Sequence, residues 1–490
     1  LENAGVRVLL IEGQEQWREL QAVGERLSVL DAVITLQPVD AAPDDVNLLN
    51  AGDWLPAATA SEYQCVSADP DSLATIVYTS GTTGRPKGVM LSHRNILWNI
   101  RSVLSVISLL PEDRLLSFLP LSHTFERTTG YYLTIVTGTP VAHARSVEKL
   151  AEDLLDVAPT ILIAVPRIFE RVYARINAKL ANESPIRQRL FSLAVSTGWH
   201  RFQHSQGRAG WSPRLLLWRL LNRIVASKVQ ARLGGRLRFA VAGGAALTPD
   251  IARFFIGLGI PIVQGYGLTE TSPVITANRL EDNLPETVGA ALPGVEIRVG
   301  KDAELLTRSP SVMLGYWNDE KATRDIIDPE GWLYTGDQVA LDADGHVSIT
   351  GRLKEIICLA NGEKIPPADM EMTIALDPVI EQVMIVGEGR PFLSALVVLN
   401  PEHLETEAAT AGVDTTQRDA LSDEHMKAQI LERIGAQLTA FPGYAQIRRV
   451  CLVKEPWTVE NALMTPTMKL RRTRILEHHS AEVDELYAGH

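Results

Sequence analysis

The run Ala74-Thr75-Ile76-Val77 leads straight into Tyr78-Thr79-Ser80-Gly81-Thr82-Thr83-Gly84-Arg85-Pro86-Lys87-Gly88. An apolar, partly β-branched run followed by hydroxyls and glycines reads as a strand entering a loop. Glycine lets backbone N–H groups come close to an anion, and the hydroxyls add donors. Lys87 adds a point positive charge suited to a phosphate. A Walker A loop needs Gly-Lys-Ser/Thr in sequence, whereas Arg85 and Pro86 separate Gly84 from Lys87. The stretch is a phosphate loop of another type.

The same rhythm of short apolar run and Gly- or Pro-marked loop recurs outward from it. Val6 to Ile11 and Ala32 to Leu36 flank a polar helix, and Thr160 to Val165, Leu237 to Val241 and Pro261 to Gln264 follow. Together with Ala74 to Tyr78, these read as buried strands of a mostly parallel sheet. After Asp337 the style changes to short strands between polar turns and helices: Val347 to Thr350, Ile356 to Leu359, Val383 to Gly387 and Ala395 to Leu399. The expected fold class is α/β. A large N-terminal domain of parallel or mixed sheets with packed helices spans 1–352, and a small α+β domain spans 353–490.

Four further motifs carry chemistry. Gln264-Gly265-Tyr266-Gly267-Leu268-Thr269-Glu270-Thr271 follows a strand. Tyr266 between glycines can expose a flat ring to a base, and Glu270 beside phosphate calls for a bridging Mg²⁺. Without a third glycine the dinucleotide fingerprint is weak, and alone this motif is as much a turn as a site. Tyr334-Thr335-Gly336-Asp337 ends in a carboxylate that can accept from ribose hydroxyls or cap its own turn. Gly351-Arg352-Leu353-Lys354-Glu355, with Asn361-Gly362-Glu363-Lys364 after it, lies at the domain boundary. Leu463-Met464-Thr465-Pro466-Thr467-Met468-Lys469 lies near the end, where Lys469 by itself reads as a surface lysine.

The 490 residues suggest about three structural units, or one large domain and one small. A composition 46% hydrophobic and 22% charged excludes an extended disordered chain, and a net charge of −12 argues against a nucleic-acid binder. Cys65, Cys358 and Cys451 are far apart, so neither a disulfide framework nor a cysteine zinc site is expected, and a reducing cytoplasmic compartment fits. The apolar stretch Gly130 to Ala142 is interrupted by Thr, Gly and Pro, and no membrane span is expected. The chain opens at Leu1 without Met or a signal-like segment, which reads as a chain lacking its first part.

One segment departs from the acidic average. Residues 184–239 hold ten arginines, Lys228 and no acid, a charge of +11 against −23 elsewhere. Leu217, Leu221, Ile224 and Val225 recur there at helical spacing, with Trp211 and Trp218 nearby and Arg219 and Arg223 interleaved. Such a helix can lie on an anionic membrane surface or pack one stripe on its own domain.

The five motifs, in this order and spacing, resemble the adenylate-forming (AMP-binding) superfamily from about Asp71 to Lys469. Leu119-Pro120-Leu121-Ser122-His123-Thr124-Phe125-Glu126-Arg127 and Val165-Pro166-Arg167-Ile168-Phe169-Glu170-Arg171-Val172-Tyr173 resemble its long-chain fatty acyl-CoA synthetases. The resemblance implies ATP-dependent activation of a long-chain fatty acid to an acyl-adenylate, then thioester formation with coenzyme A. It implies that Thr79, Ser80, Gly81, Thr82, Thr83, Gly84 and Lys87 hold the β- and γ-phosphates. Thr79 and Glu270 hold Mg²⁺, and Tyr266, flanked by Gly265 and Gly267, stacks on adenine opposite Gly243-Gly244-Ala245. Thr269 contacts the α-phosphate, and Asp337 takes the ribose hydroxyls with Arg352 assisting. His123 sits beside the reacting carboxylate, and Lys469 bridges it to the α-phosphate. Lys354 matches the hinge of a mobile small domain, and a stretch preceding Leu1 completes the large one. Ala462 departs from the pattern, standing where the family commonly has glycine. The alternatives are acyl transfer to a carrier protein and a non-catalytic nucleotide- or lipid-binding protein. The expected location is cytoplasmic, with the basic segment touching the inner membrane face.

Overall fold

The structure is a computed structural model and describes residues 1, 3–22, 29–40, 46–55, 67–79, 86–413, 420–465 and 468–489. Its centre is a seven-stranded sheet. In spatial order the strands are Val141–His143, Leu115–Ser117, Ile161–Ala164, Phe239–Ala242, Ile262–Gly267, Val274–Ala277 and Ala290–Ala291. The first five are parallel, and the last two close the edge antiparallel. Ile161–Ala164 is buried throughout, and Phe239–Ala242 and Ile262–Gln264 nearly so. Helices on both faces demand that continuity in a parallel sheet. The core beneath it joins Leu162, Ala164 and Ala240 to Phe169, Ile251 and Phe255 of helices Pro166–Ala181 and Pro249–Gly257.

This arrangement decides where chemistry collects. The segments around His123, Gly243-Gly244-Ala245 and Thr269-Glu270 leave the carboxyl ends of parallel strands, where open α/β sheets bind ligands. The N-terminal Val8–Ile11 and Ala32–Thr35 pair in parallel, with helix Gln14–Gln21 between them, in a separate three-stranded sheet with Leu48–Asn50.

One expectation fails here. Leu73–Thr79 does not enter the parallel sheet; it forms an antiparallel pair with Lys87–Ser92, beside Gly315–Tyr316. Thr79 lies opposite Lys87. Too few residues separate these strands for the crossover that parallel pairing needs, usually a dozen or more. Val77 is buried, whereas Leu73, Ala74 and Tyr78 are exposed.

Glu296–Val299, Glu304–Arg308, Leu333–Leu341 and Val347–Arg352 form an antiparallel sheet that places Asp337 opposite Arg352. From Ile357 onward the elements build cores of their own. Ile380–Val386, Leu393–Leu399 and Ile447–Val453 form a three-stranded sheet packed on Met370, Ile430 and Ile434 of neighbouring helices. The strands expected at Val383 to Gly387 and Ala395 to Leu399 are there. Cys358 and Cys451 are free, and Cys65 lies outside the described residues. Among the described residues no helix is long and apolar enough to cross a membrane.

The basic segment folds as helix Pro185–Ser205 followed by the short turns and helices from Pro213–Leu217 to Ser227–Arg232. Its expected single apolar stripe divides. Leu221 is buried, while Leu217 and Ile224 face solvent with Leu216 and Leu220. The spacing survives, but a tight turn and a π-turn interrupt the regular helix and change which residues share a face.

Candidate functional site

Asp337 is the best-connected group in the cleft. It is 4% exposed, accepts from the Tyr266 hydroxyl at 2.6 Å and pairs with Arg352 Nε at 2.7 Å. Strand pairing delivers Arg352, and the Thr335 hydroxyl bonds the Asp337 amide to shape the turn. Burial and the Asp337 charge push the Tyr266 phenol well above its ordinary pKa, so it stays a donor. Burial works against the Arg352 charge, but Asp337 outweighs it and holds the guanidinium firmly protonated. Gly267 is fixed by close approach, because a Cβ there would fall 1.8 Å from the Pro273 carbonyl oxygen.

Lys469 reaches this group from the far end of the chain. Its side chain is exposed, within reach of the charges of Arg352, Asp337 and Glu355. Desolvation and the Arg352 charge lower its pKa, and Asp337 and Glu355 partly offset them. It acts on His123 as well. Burial, with Lys469 adding to it, lowers the His123 imidazole to about 4, so His123 is neutral near neutrality. His123 also caps Thr124–Glu126, its Nδ1 accepting from the Phe125 amide at 3.4 Å. The Phe125 ring lies against Gly243, where a Cβ would meet it at 2.7 Å. Gly244 takes φ +83°, a left-handed turn that leads the chain on to Ala245. Burial raises the neighbouring Glu126 carboxyl to about 7.

A second cluster joins the hairpin of Leu73–Thr79 and Lys87–Ser92 to Glu270. Tyr316 donates to Glu270 Oε1 at 2.7 Å, and Lys87 Nζ stands 4.8 Å from the Tyr316 ring centroid. Thr79 is the register partner of Lys87. Thr269 and Glu270 form a tight turn, anchored by the Met313 amide on the Glu270 carbonyl. Ser80, Gly81, Thr82, Thr83 and Gly84 lie outside the described residues. The second oxygen of Glu270 has no partner among the described residues. With the Thr79 hydroxyl it offers hard oxygen donors, a set that fits Mg²⁺, which keeps much of its water. No cluster of three or more His, Cys, Asp or Glu that could hold a metal occurs among the described residues.

Sequence reasoning missed Tyr316. Its place comes from strand pairing with Val89, far away in the chain, and only the aromatic after Gly315 hints at it. Tyr316→Phe removes one hydrogen bond to a carboxylate. It is expected to cost about 1 kcal/mol, roughly a fivefold rise in the KM for MgATP, read from initial rates. An unchanged KM would separate Tyr316 from the nucleotide.

Lys354 is exposed in a turn where the Glu355 amide bonds the Arg352 carbonyl, between the four-stranded sheet and the first strand of the C-terminal elements, Ile357–Cys358. In the loop before Lys469, Ala462 takes φ +58° and Met468 φ +61°. Ala462 therefore holds a left-handed conformation that glycine adopts without strain. Ala462→Gly is expected to stabilise the fold by about 0.5–1 kcal/mol after the entropy of the unfolded glycine is set against the relief. Thermal unfolding checks this, and a lower Tm would count against strain at this position.

Residues 1–317 match the AMP-binding enzyme family, and residues 354–490 match the AMP-binding enzyme C-terminal domain. The long-chain-fatty-acid–CoA ligase FadD15 of Mycobacterium bovis is 35% identical over 430 residues, covering 86% of this chain and 70% of that protein. The chloroplastic long-chain-fatty-acid–(acyl-carrier-protein) ligase AEE15 of Arabidopsis thaliana is 29% identical over 472 residues, 87% of this chain and 63% of that protein. The adenylation domain of a carboxylate reductase from Mycobacterium chelonae shares the fold, with TM-score 0.74 at 22% identity over 99% of this chain and 74% of that one. The motifs, their convergence on one cleft and these matches agree: the chain belongs to the AMP-binding enzyme family.

Proposed function

We propose that this protein activates a long-chain fatty acid with ATP and passes the acyl group to coenzyme A. The observation that carries the reading is the buried Asp337 held between the Tyr266 hydroxyl and Arg352, with Lys469 close enough for its charge to act on His123. In the first step a carboxylate oxygen attacks the α-phosphorus, and pyrophosphate leaves. In the second, the thiol of coenzyme A loses its proton and attacks the acyl carbon, and AMP leaves. Attack of one anion on another depends on positioning and on charge neutralisation.

Each residue has a part in that scheme. Tyr266 offers its ring to adenine opposite Gly243-Gly244-Ala245, and Asp337 with Arg352 takes the ribose. Thr269 meets the α-phosphate, and the hairpin loop ending at Lys87 holds the outer phosphates. Lys469 spans the carboxylate and the α-phosphate. Neutral His123 stands beside the carboxylate without adding charge. Thr79 and Glu270 would hold Mg²⁺, which would supply charge neutralisation at the phosphates.

Residues 1–352 act as the large domain and 353–490 as a lid. A swing about Lys354 withdraws Lys469 and brings Asn361 to Glu363 toward the thiol, so one site serves two reactions. Exposed Leu216, Leu220 and Ile224 beside Arg219 and Arg223 suit docking on the anionic inner face of a membrane, where the substrate partitions. The working location is cytoplasmic. Vesicle binding indifferent both to salt and to neutralised Arg219 and Arg223 would refute electrostatic docking.

The second reading, transfer to a carrier protein, rests on the similarity to the carrier-protein ligase and shares the first step. Fatty-acid-dependent pyrophosphate exchange, measured over increasing chain length, tests the first step. Supplying coenzyme A or a holo-carrier protein then separates the acceptors. No exchange with any acid would leave only a nucleotide- or lipid-binding protein.

A further inference from the structure

A cavity of about 340 Å³ lies on the helical side of the large domain and shares no residue with the nucleotide cleft. Helix Pro185–Ser205, the loop after it and Arg253 of helix Pro249–Gly257 line it, and it is partly open to solvent. Thr197, Trp199, His200, Arg208, Arg214 and Arg253 are among its lining residues, and no acid lines it. The Arg208 charge is partly met, since it donates to Asp282 at 2.7 Å and to the Asn283 carbonyl at 2.6 Å. Arg214 and Arg253 have no carboxylate within 4 Å among the described residues, and Arg253 is steadied over the Trp199 ring at 5.5 Å.

Two buried polar atoms of wall residues have no hydrogen-bond partner among the described residues. Thr197 is 1% exposed and its hydroxyl is unbonded, as is His200 Nε2. A buried hydroxyl left unbonded costs about 1–3 kcal/mol, and an oxyanion whose oxygen reached the Thr197 hydroxyl would recover that cost. Guanidinium forks match the oxygens of a phosphoryl group better than a point charge does.

We propose that this cavity is a second anion site that binds a phosphoryl group through Arg214, Arg253 and the Thr197 hydroxyl. It goes beyond the acyl-activating reading and does not depend on it. The phosphoryl group can belong to a soluble phosphate compound or to a phospholipid headgroup. Trp211, 63% exposed and three residues from Arg214, gives a headgroup an apolar neighbour.

The test uses the full chain saturated with AMP, so that the nucleotide cleft is filled. Two probes are titrated by calorimetry: inorganic phosphate, and dihexanoylphosphatidylglycerol below its micelle concentration. Arg214→Gln/Arg253→Gln is expected to weaken at least one probe tenfold or more. Thr197→Val, nearly the same shape, is expected to weaken the same probe severalfold with an unchanged Tm. Loss confined to phosphate assigns a soluble ligand, and loss confined to the lipid assigns a headgroup. Arg232→Gln/Arg236→Gln removes as much charge from the same segment outside the cavity and should leave both probes unchanged. Equal binding by wild type and the cavity variants, or equal loss in the control pair, overturns the site.

Discussion

Lys469→Ala protein is expected to lose fatty-acid-dependent pyrophosphate exchange by about 10²–10³-fold, the usual cost of deleting one preorganised contact at a charged transition state. The lysine comes from the last part of the chain, feels the Arg352 charge and acts on His123. Alanine leaves the carboxylate and the α-phosphate to repel one another. The same variant is expected to form thioester from supplied acyl-adenylate at close to the wild-type rate, because the second step as proposed does not use this lysine. The two assays on one preparation separate loss of chemistry from loss of fold. Retained exchange would remove Lys469 from the reaction.

Asp337→Ala has the second large effect. The carboxylate satisfies the Tyr266 hydroxyl and Arg352 at once; its removal takes the Asp337 bond from Tyr266 and leaves Arg352 only the longer pair with Glu355 at 3.9 Å. A hydrogen bond to a charged partner contributes about 1.5–3 kcal/mol, although the 39% exposure of the Arg352 side chain reduces its share. Affinity for AMP is expected to fall about a hundredfold, a loss of roughly 2.7 kcal/mol, read by titration. Asp337→Asn keeps an acceptor for Tyr266 and is expected to lose less. Equal AMP affinity in the alanine variant would place the ribose elsewhere.

Much of the cleft was legible because its motifs follow strands that composition reveals. Ile161–Ala164, Phe239–Ala242 and Ile262–Gly267 are apolar enough to read as parallel and buried, and their carboxyl ends then gather Gly243, Tyr266 and Glu270. Leu73–Thr79 has nearly the same composition but pairs antiparallel, since the apolar run says nothing of its partner. Tyr316 touches Glu270 through a two-residue strand that has no periodicity to detect. The stripe at Leu217, Leu221, Ile224 and Val225 assumed an unbroken helix, and local turns redistributed its faces. Ala462 was visible as a departure, but only its backbone angle shows strain.

The lowered pKa of Lys469 also makes its position in the cleft a proton equilibrium. In the cleft the ammonium is disfavoured, and in water it returns to the ordinary 10.5. Departure from the cleft therefore takes up protons, and arrival releases them. Below the lowered value the cleft bears the whole penalty of holding a charged lysine. As pH rises from there toward 10.5 the penalty fades, so alkaline solution favours the inserted lysine when nucleotide is absent. Fluorophores placed on the two parts of the chain should report tighter closure with rising pH in wild type and none of that trend in Lys469→Ala. If the small domain swings as proposed, its resting position is set partly by acidity, and ATP, by supplying negative charge, would favour the inserted lysine at neutral pH.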